Sequence, residues 1–154
     1  MPQEIERKFL LGDLPKELIG DSLPMAIKQG YLVLGQQCEL RVRMLDGRYY
    51  FTSKRGQGMV REEQEQEIDQ VIFDLVWPFT ETKRIEKSRY SIQRNNMVYD
   101  VDVYSGDLQG LMVMEVEFSS VEEAQQFSIP PYCAAEVTDD PRYKNAALAL
   151  KGRP

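Results

Sequence analysis

Charged residues recur at every second position in one segment of this chain after another, and that period decides what the chain can become. Glu4, Glu6 and Lys8 open the series; Arg41 and Arg43, then Glu63, Glu65 and Glu67, Lys87 and Arg89, Asp100 and Asp102, and Glu115 and Glu117 continue it. The positions between them are apolar wherever they read cleanly: Leu40, Val42 and Met44; Val101 and Val103; Met112, Met114, Val116 and Phe118. Successive side chains of an extended strand point to opposite faces, so the pattern predicts strands with one charged and one apolar face. A solvated face ordinarily mixes Ser, Thr, Gln and Asn with scattered charge. Here the signs are segregated by strand, in doublets of one sign, and ordinary wetting does not explain that.

Beyond the N-terminal segment, strands are expected near residues 27–34, 38–45, 48–55, 59–68, 84–93, 97–104 and 111–118, about eight in all and joined mainly as a meander. Asp46-Gly47 is a type I′ hairpin pair, Asn95-Asn96 tolerates positive φ, and Gly56 and Gly58 break a further connection. Helices are few: Asp69 caps a helix ending before Pro78, Ser120 and Glu123 form a capping box, and Asp140-Pro141 opens a C-terminal helix. With 154 residues and no repeat, linker or low-complexity tract, residues 1–154 are read as a single domain.

Composition then removes function classes. Histidine is absent, which excludes Ser-His-Asp and Cys-His catalysis and zinc sites built on imidazole. A net charge of −6 disfavours a general nucleic-acid binder. Cys38 and Cys133 lack metal-ligand spacing and are read as packing residues. No long apolar run or signal peptide appears, so no membrane partner is expected and the cytoplasm is the expected location.

Two arrangements fit such strands: an open sheet with helices under its apolar face, or a barrel of about eight strands with its charges inward. Carboxylates crowded on one face are costly, since two charges about 4 Å apart repel by about 4 kcal/mol at an effective dielectric near 20. The face therefore calls for a cation between its acids and an anion between its bases. Oxygen ligands without His or Cys favour a hard ion, Mg²⁺ or Mn²⁺. Such ions keep waters and bind phosphates, while Lys and Arg hold phosphoryl oxygens. The composite is a site for a metal-bound polyphosphate chain.

These residues resemble the CYTH domain, or triphosphate tunnel metalloenzyme family. Glu4-Ile5-Glu6-Arg7-Lys8 is similar to its N-terminal Glu-x-Glu-x-Lys signature, and Arg41-x-Arg43, Lys54, Glu63-x-Glu65, Lys87-x-Arg89, Asp102 and Glu115-x-Glu117 follow in the family's order. Segments 27–32 and 136–145 are also similar, so the resemblance covers nearly the whole chain. It implies a mainly β (α+β) fold: an eight-stranded antiparallel barrel forming a tunnel, with a charged lumen and helices packed outside. It also implies dependence on Mg²⁺ or Mn²⁺ and action on triphosphate groups. Within the family the chain looks most like the small bacterial inorganic tripolyphosphatases. A class IV-type adenylate cyclase, a thiamine triphosphatase and a non-catalytic polyphosphate- or nucleotide-binding module are the alternatives.

The resemblance carries roles onto residues. Glu4, Glu6, Glu115 and Glu117 are expected to hold metal, with Asp102 and the Glu63/Glu65 pair near a second metal or its waters. Lys8, Arg41, Arg43, Lys54, Lys87 and Arg89 are expected to hold phosphates. Glu63 or Glu65 accepts the water's proton, and Tyr31 hydrogen-bonds substrate or packs in the core. Arg7 and Arg55 have the wrong parity and are read as surface residues whose replacement changes little. The expected partner is a small anionic triphosphate, not nucleic acid or a membrane; oligomeric state is left open, a homodimer included.

Overall fold

The computed structural model describes residues 5–56 and 62–154. The expectations placed on Glu4 and Gly58, and the start of the strand expected from residue 59, lie outside those residues. Nine strands are described: β1 (Ile5–Leu11), β2 (Met25–Leu34), β3 (Cys38–Leu45), β4 (Arg48–Arg55), β5 (Glu62–Ile68), β6 (Arg84–Arg94), β7 (Met97–Tyr104), β8 (Met112–Phe118) and β9 (Cys133–Glu136). They form one sheet in the order β5-β4-β3-β2-β6-β7-β8-β1-β9, antiparallel at every pairing. The hairpin turns are as the residue types require, with Asp46 and Gly47 at φ 49° and 82° and Asn95 and Asn96 at 51° and 65°.

The mainly antiparallel β architecture with few helices stands, but the expected eight-stranded closure does not. Among the described residues the sheet has two edges, β5 and β9. The physical reason is legible in β5: Glu62, Glu63, Glu65 and Glu67 make it an exposed, strongly acidic strand, the kind of edge that resists a further pairing. The ninth strand, β9, was not expected; it is only four residues long and has no period-two signal.

One face is the main core. Phe9 and Leu11 of β1, Ile92 of β6, Tyr99 and Val101 of β7, and Met114, Val116 and Phe118 of β8 are buried together there. It is covered by α1 (Lys16–Ile19) through Leu18 and Ile19, and by α3 (Val121–Gln126) through Ala124. Further along that face, α2 (Gln70–Val76) sets Phe73 against Tyr49 and Trp77, with ring centroids 4.8 and 5.1 Å apart. Its cap is the expected one: Asp69 accepts from the Ile72 amide at 3.0 Å. The Ser120 hydroxyl likewise accepts from Glu123 N at 3.1 Å, while the Glu123 carboxylate returns to Ser119 N rather than to Ser120. The C-terminal helix α4 (Asn145–Lys151) begins later than expected, because Asp140-Pro141 opens a 3₁₀ turn, Pro141–Tyr143.

Two surface or packing expectations change and one stands. Arg7 is not a free surface residue: it donates to both Glu136 oxygens at 2.9 and 2.7 Å and to the Ala124 carbonyl at 2.8 Å, locking β9 and α3 onto β1. Arg55 is exposed, as expected, and among the described residues it pairs with Glu62 at 3.4 Å. Both cysteines are free thiols, but Cys38 is exposed at the start of β3; only Cys133 packs against the core.

Candidate functional site

Register places the charged doublets on one face, as parity predicts. Glu6 lies opposite Glu117, Lys8 opposite Glu115, Glu115 opposite Asp100, and Asp102 opposite Arg89. On the other half of the sheet, Tyr31 lies opposite Arg41, Arg43 opposite Gln29, Lys54 opposite both Glu39 and Glu63, and Thr52 opposite Glu65. The charges do not run straight across. From Glu115 on β8 to Arg43 on β3 is four strand steps, about 19 Å at the usual spacing. The register advances six residues over the same path, from Ser91, aligned with Glu115 through Asp100, to Ile85, aligned with Arg43 through Gln29; that is about 20 Å. The line through them is inclined by about 45° to the strands, close to the tilt strands take in a coiled or barrel-like sheet. In a sheet curled with that tilt, a diagonal becomes a belt at one height.

Electrostatics agree with a belt. Arg43 feels the charges of Arg41, Glu65 and Arg89, although Arg89 stands two strands away. Its guanidinium is held below the usual arginine value first by burial and then by repulsion from Arg41, against the opposing pull of Glu65. The Nε atoms of Arg41 and Arg43 are buried and have no hydrogen-bond partner among the described residues. Buried polar donors are ordinarily satisfied, so these two Nε–H groups stand out as donors open to a bound acceptor.

The charged face also carries an apolar diagonal that parity did not predict. Leu10, Val113, Tyr104, Ile85 and Tyr31 run parallel to the belt and pack with Leu148 and Ala149 of α4. A helix therefore lies on the charged side of the sheet as well. It is tied to the belt at its start, where the Tyr104 hydroxyl donates to Asn145 Oδ1 at 2.8 Å, while Lys8 Nζ donates to the Tyr143 carbonyl at 3.1 Å just before it.

The expected site residues divide into groups. Lys87 and Arg89 converge on Asp102, which is buried, so the metal-directed role expected of Asp102 competes with two cations already in place. Burial alone would raise the Asp102 carboxyl, but the Lys87 charge and the Arg89 hydrogen bonds hold it below the usual aspartate value. Lys8 is 3.3 Å from Glu115. Glu117 and Glu6 are exposed at the rim. Glu63 and Glu65 are exposed on edge strand β5, at the other end of the strand order from β1 and β8. Tyr31 is fully buried, with its hydroxyl accepting from Gln29 Nε2 at 2.8 Å; burial, then the Glu39 charge, raises its pKa.

Several contributors lay outside the expected set. Glu39 shares the parity of Arg41 and stands 3.8 Å from it, a continuation of the doublet legible in the sequence. Asp100, in the same doublet as Asp102, is 3.7 Å from Arg89. Buried Gln29 and Thr52, the latter donating to Glu65 at 3.0 Å, carry no sequence signal because neither is charged.

Among the described residues no three acidic side chains already converge as a metal cage. The acids nonetheless suit a divalent ion. Glu6 and Glu117 face each other directly across β1 and β8 beside Glu115, and like charges placed directly opposite repel. Mg²⁺ needs only one or two carboxylates when waters and substrate phosphates complete its shell.

An antiparallel sheet presenting Lys, Arg and carboxylates from successive strands along one belt fits the triphosphate tunnel class that the sequence resembles. Comparison with known proteins narrows this. The chain is 44% identical over 149 residues to an inorganic triphosphatase of Nitrosomonas europaea, covering 96% of this chain and 97% of that one. It is 34% identical over 151 residues to an inorganic triphosphatase of Acetivibrio thermocellus, covering 96% and 94%. The crystal structure of an inorganic triphosphatase superposes with a TM-score of 0.82 at 43% identity, covering 97% of this chain and 96% of that one. A putative adenylate cyclase from Bacillus halodurans shares the fold at a TM-score of 0.54 and 19% identity, covering 79% and 83%. No protein-family model matches the chain. The chain belongs to the inorganic triphosphatase family. Among the described residues no helix is long and apolar enough to cross a membrane.

Proposed function

We propose that this protein hydrolyses inorganic tripolyphosphate to pyrophosphate and orthophosphate with Mg²⁺ or Mn²⁺, acting as one CYTH-like domain over residues 1–154. The observation that carries the reading is the pair of buried guanidinium Nε atoms of Arg41 and Arg43, without a hydrogen-bond partner among the described residues and set in a belt with Lys87 and Arg89. Guanidinium forks bind phosphoryl oxygens in pairs, and a bare polyphosphate chain presents such oxygens along its whole length.

In this reading Arg41, Arg43 and Lys54 hold one end of the chain, and Lys87, Arg89 and Lys8 the other. Glu6, Glu115 and Glu117, with Glu4, would hold the metal. The bound ion supplies charge neutralisation and a water of lowered pKa. Water oxygen attacks the terminal phosphorus, the bridging P–O bond breaks, and the leaving pyrophosphate carries away the electron pair. Lys87 and the arginines stabilise the charge that grows on the transferring and leaving oxygens. Glu63 or Glu65 takes the water's proton, and Tyr31, paired in register with Arg41, steadies that arginine.

A substrate panel tests this: tripolyphosphate, pyrophosphate, ATP and thiamine triphosphate, with chelated protein and after Mg²⁺ or Mn²⁺ is restored. Tripolyphosphate should turn over fastest, pyrophosphate should be poor because it is too short to span the belt, and chelation should abolish turnover reversibly. Cyclic AMP from ATP, binding without turnover, or full activity after chelation would each overturn the reading.

A further inference from the structure

Strand β7 brings two aspartates to the charged face, and their surroundings differ. Asp102 is 2% exposed and accepts three hydrogen bonds: Lys87 Nζ to Oδ2 at 2.8 Å, Arg89 Nε to Oδ1 at 2.8 Å, and Arg89 Nη2 to Oδ2 at 2.9 Å. Asp100 is half-buried, faces Glu115, and has Arg89 Nη1 only at 3.7 Å. A carboxylate offers about four lone-pair directions, so Asp102 has little left to offer. A magnesium ion about 2.1 Å from Oδ2 would also stand within about 5 Å of the Lys87 ammonium, given the 2.8 Å hydrogen bond already there. Two cations would then compete for one buried oxygen.

We infer that Asp102 is a positioning residue that fixes Lys87 and Arg89 for the phosphate oxygens and does not ligate the metal. Long cationic side chains lose much rotamer freedom when they are ordered. A buried carboxylate gripping both of them makes that loss part of folding rather than of substrate binding. The Tyr104 ring, with its centroid 5.3 Å from Lys87 Nζ, is a second contact that holds the ammonium in place. Lys87 and Arg89 lie two apart on β6, so one carboxylate opposite Arg89 reaches both and sets their spacing.

This inference rests on the triphosphatase reading, and its test separates the two. Asp102→Asn and Glu115→Gln are compared for Mn²⁺ affinity by calorimetry and for kcat and KM on tripolyphosphate. Asp102→Asn should bind Mn²⁺ within about twofold of the parent while kcat falls by about 10- to 100-fold, the range for losing a residue that orients another. Glu115→Gln should lose Mn²⁺ affinity by about tenfold or more. If Asp102→Asn loses Mn²⁺ affinity as Glu115→Gln does, or keeps full kcat, the inference is overturned. Unchanged Mn²⁺ binding in Glu115→Gln counts against the metal reading instead. A measurement on the unaltered protein decides the matter if Asp102→Asn does not fold. The coupling across the hydrogen bond from Lys87 Nζ to the Asp102 carboxylate, read by NMR, should persist when Mg²⁺ is added alone; its loss on Mg²⁺ alone would show the ion taking Asp102 from Lys87.

Discussion

Arg7 shows how a residue's role depends on what reaches it from elsewhere in the chain. Period two puts it on the outer face, and there it meets Glu136 and the end of α3, more than a hundred residues away. Its guanidinium also lies 5.4 Å from the Phe9 ring centroid. Arg7→Ala should therefore lower stability by about 1–3 kcal/mol, read by urea unfolding, because a forked ion pair and a buried carbonyl lose their donor. The effect should depend on pH. The Arg7 hydrogen bond holds the Glu136 carboxyl below the usual glutamate value, against the opposing effect of burial. A carboxyl lowered in the folded state stabilises the fold above its unfolded value and loses that contribution as pH falls through the folded one. The difference in melting temperature between parent and Arg7→Ala should thus be full near pH 6 and shrink below about pH 4. A pH-independent difference would assign the effect to packing alone.

Among the elements, β2 is the most constrained, because it joins the two halves of the sheet. A Cβ built on Gly30 would stand 2.5 Å from Thr80 Cβ, in the 3₁₀ turn Trp77–Thr80 that follows α2. Thr80 cannot simply withdraw: it is fully buried, its hydroxyl donates to the Trp77 carbonyl at 2.7 Å, and it accepts from Arg84 Nε at 2.9 Å. Arg84 in turn stacks 4.4 Å above the Trp77 ring centroid. Gly30→Ala should destabilise by about 1–3 kcal/mol, or more if the turn cannot shift, with thermal unfolding as the measurement. A neutral result would mean that the turn moves freely. Gly30 precedes Tyr31, so displacing β2 there should also disturb the position of Arg41 across the ladder.

At the scale of the whole molecule, a net charge of −6 coexists with a belt that collects Lys8, Arg41, Arg43, Lys54, Lys87 and Arg89. Attraction of a polyanion is thus local, and it competes with the acidic remainder of the surface. For tripolyphosphate, kcat/KM should fall severalfold as KCl is raised from about 50 to about 300 mM, over which the Debye length shrinks from roughly 14 to 6 Å, while kcat changes little. Steady-state kinetics across that range checks it. A flat kcat/KM would argue that the belt is not what captures the substrate.

Much of this was legible in the chain itself. Parity alone put Lys8, Arg41, Arg43, Lys87, Arg89, Asp102, Glu115 and Glu117 on one face, and Asp46-Gly47, Asn95-Asn96 and Asp69 marked turns and a cap, because alternation and turn chemistry are local and follow from backbone geometry. What the period could not supply was distance between strands. Whether the sheet closes, which acids meet which bases, and that α4 covers part of the charged side through Leu148 and Tyr104 all depend on strand order and register, which bring together residues far apart in sequence. Asp102 is the clearest case. Its spacing marks it as one more acid of the charged face, and only the β6–β7 register gives it two cations to hold.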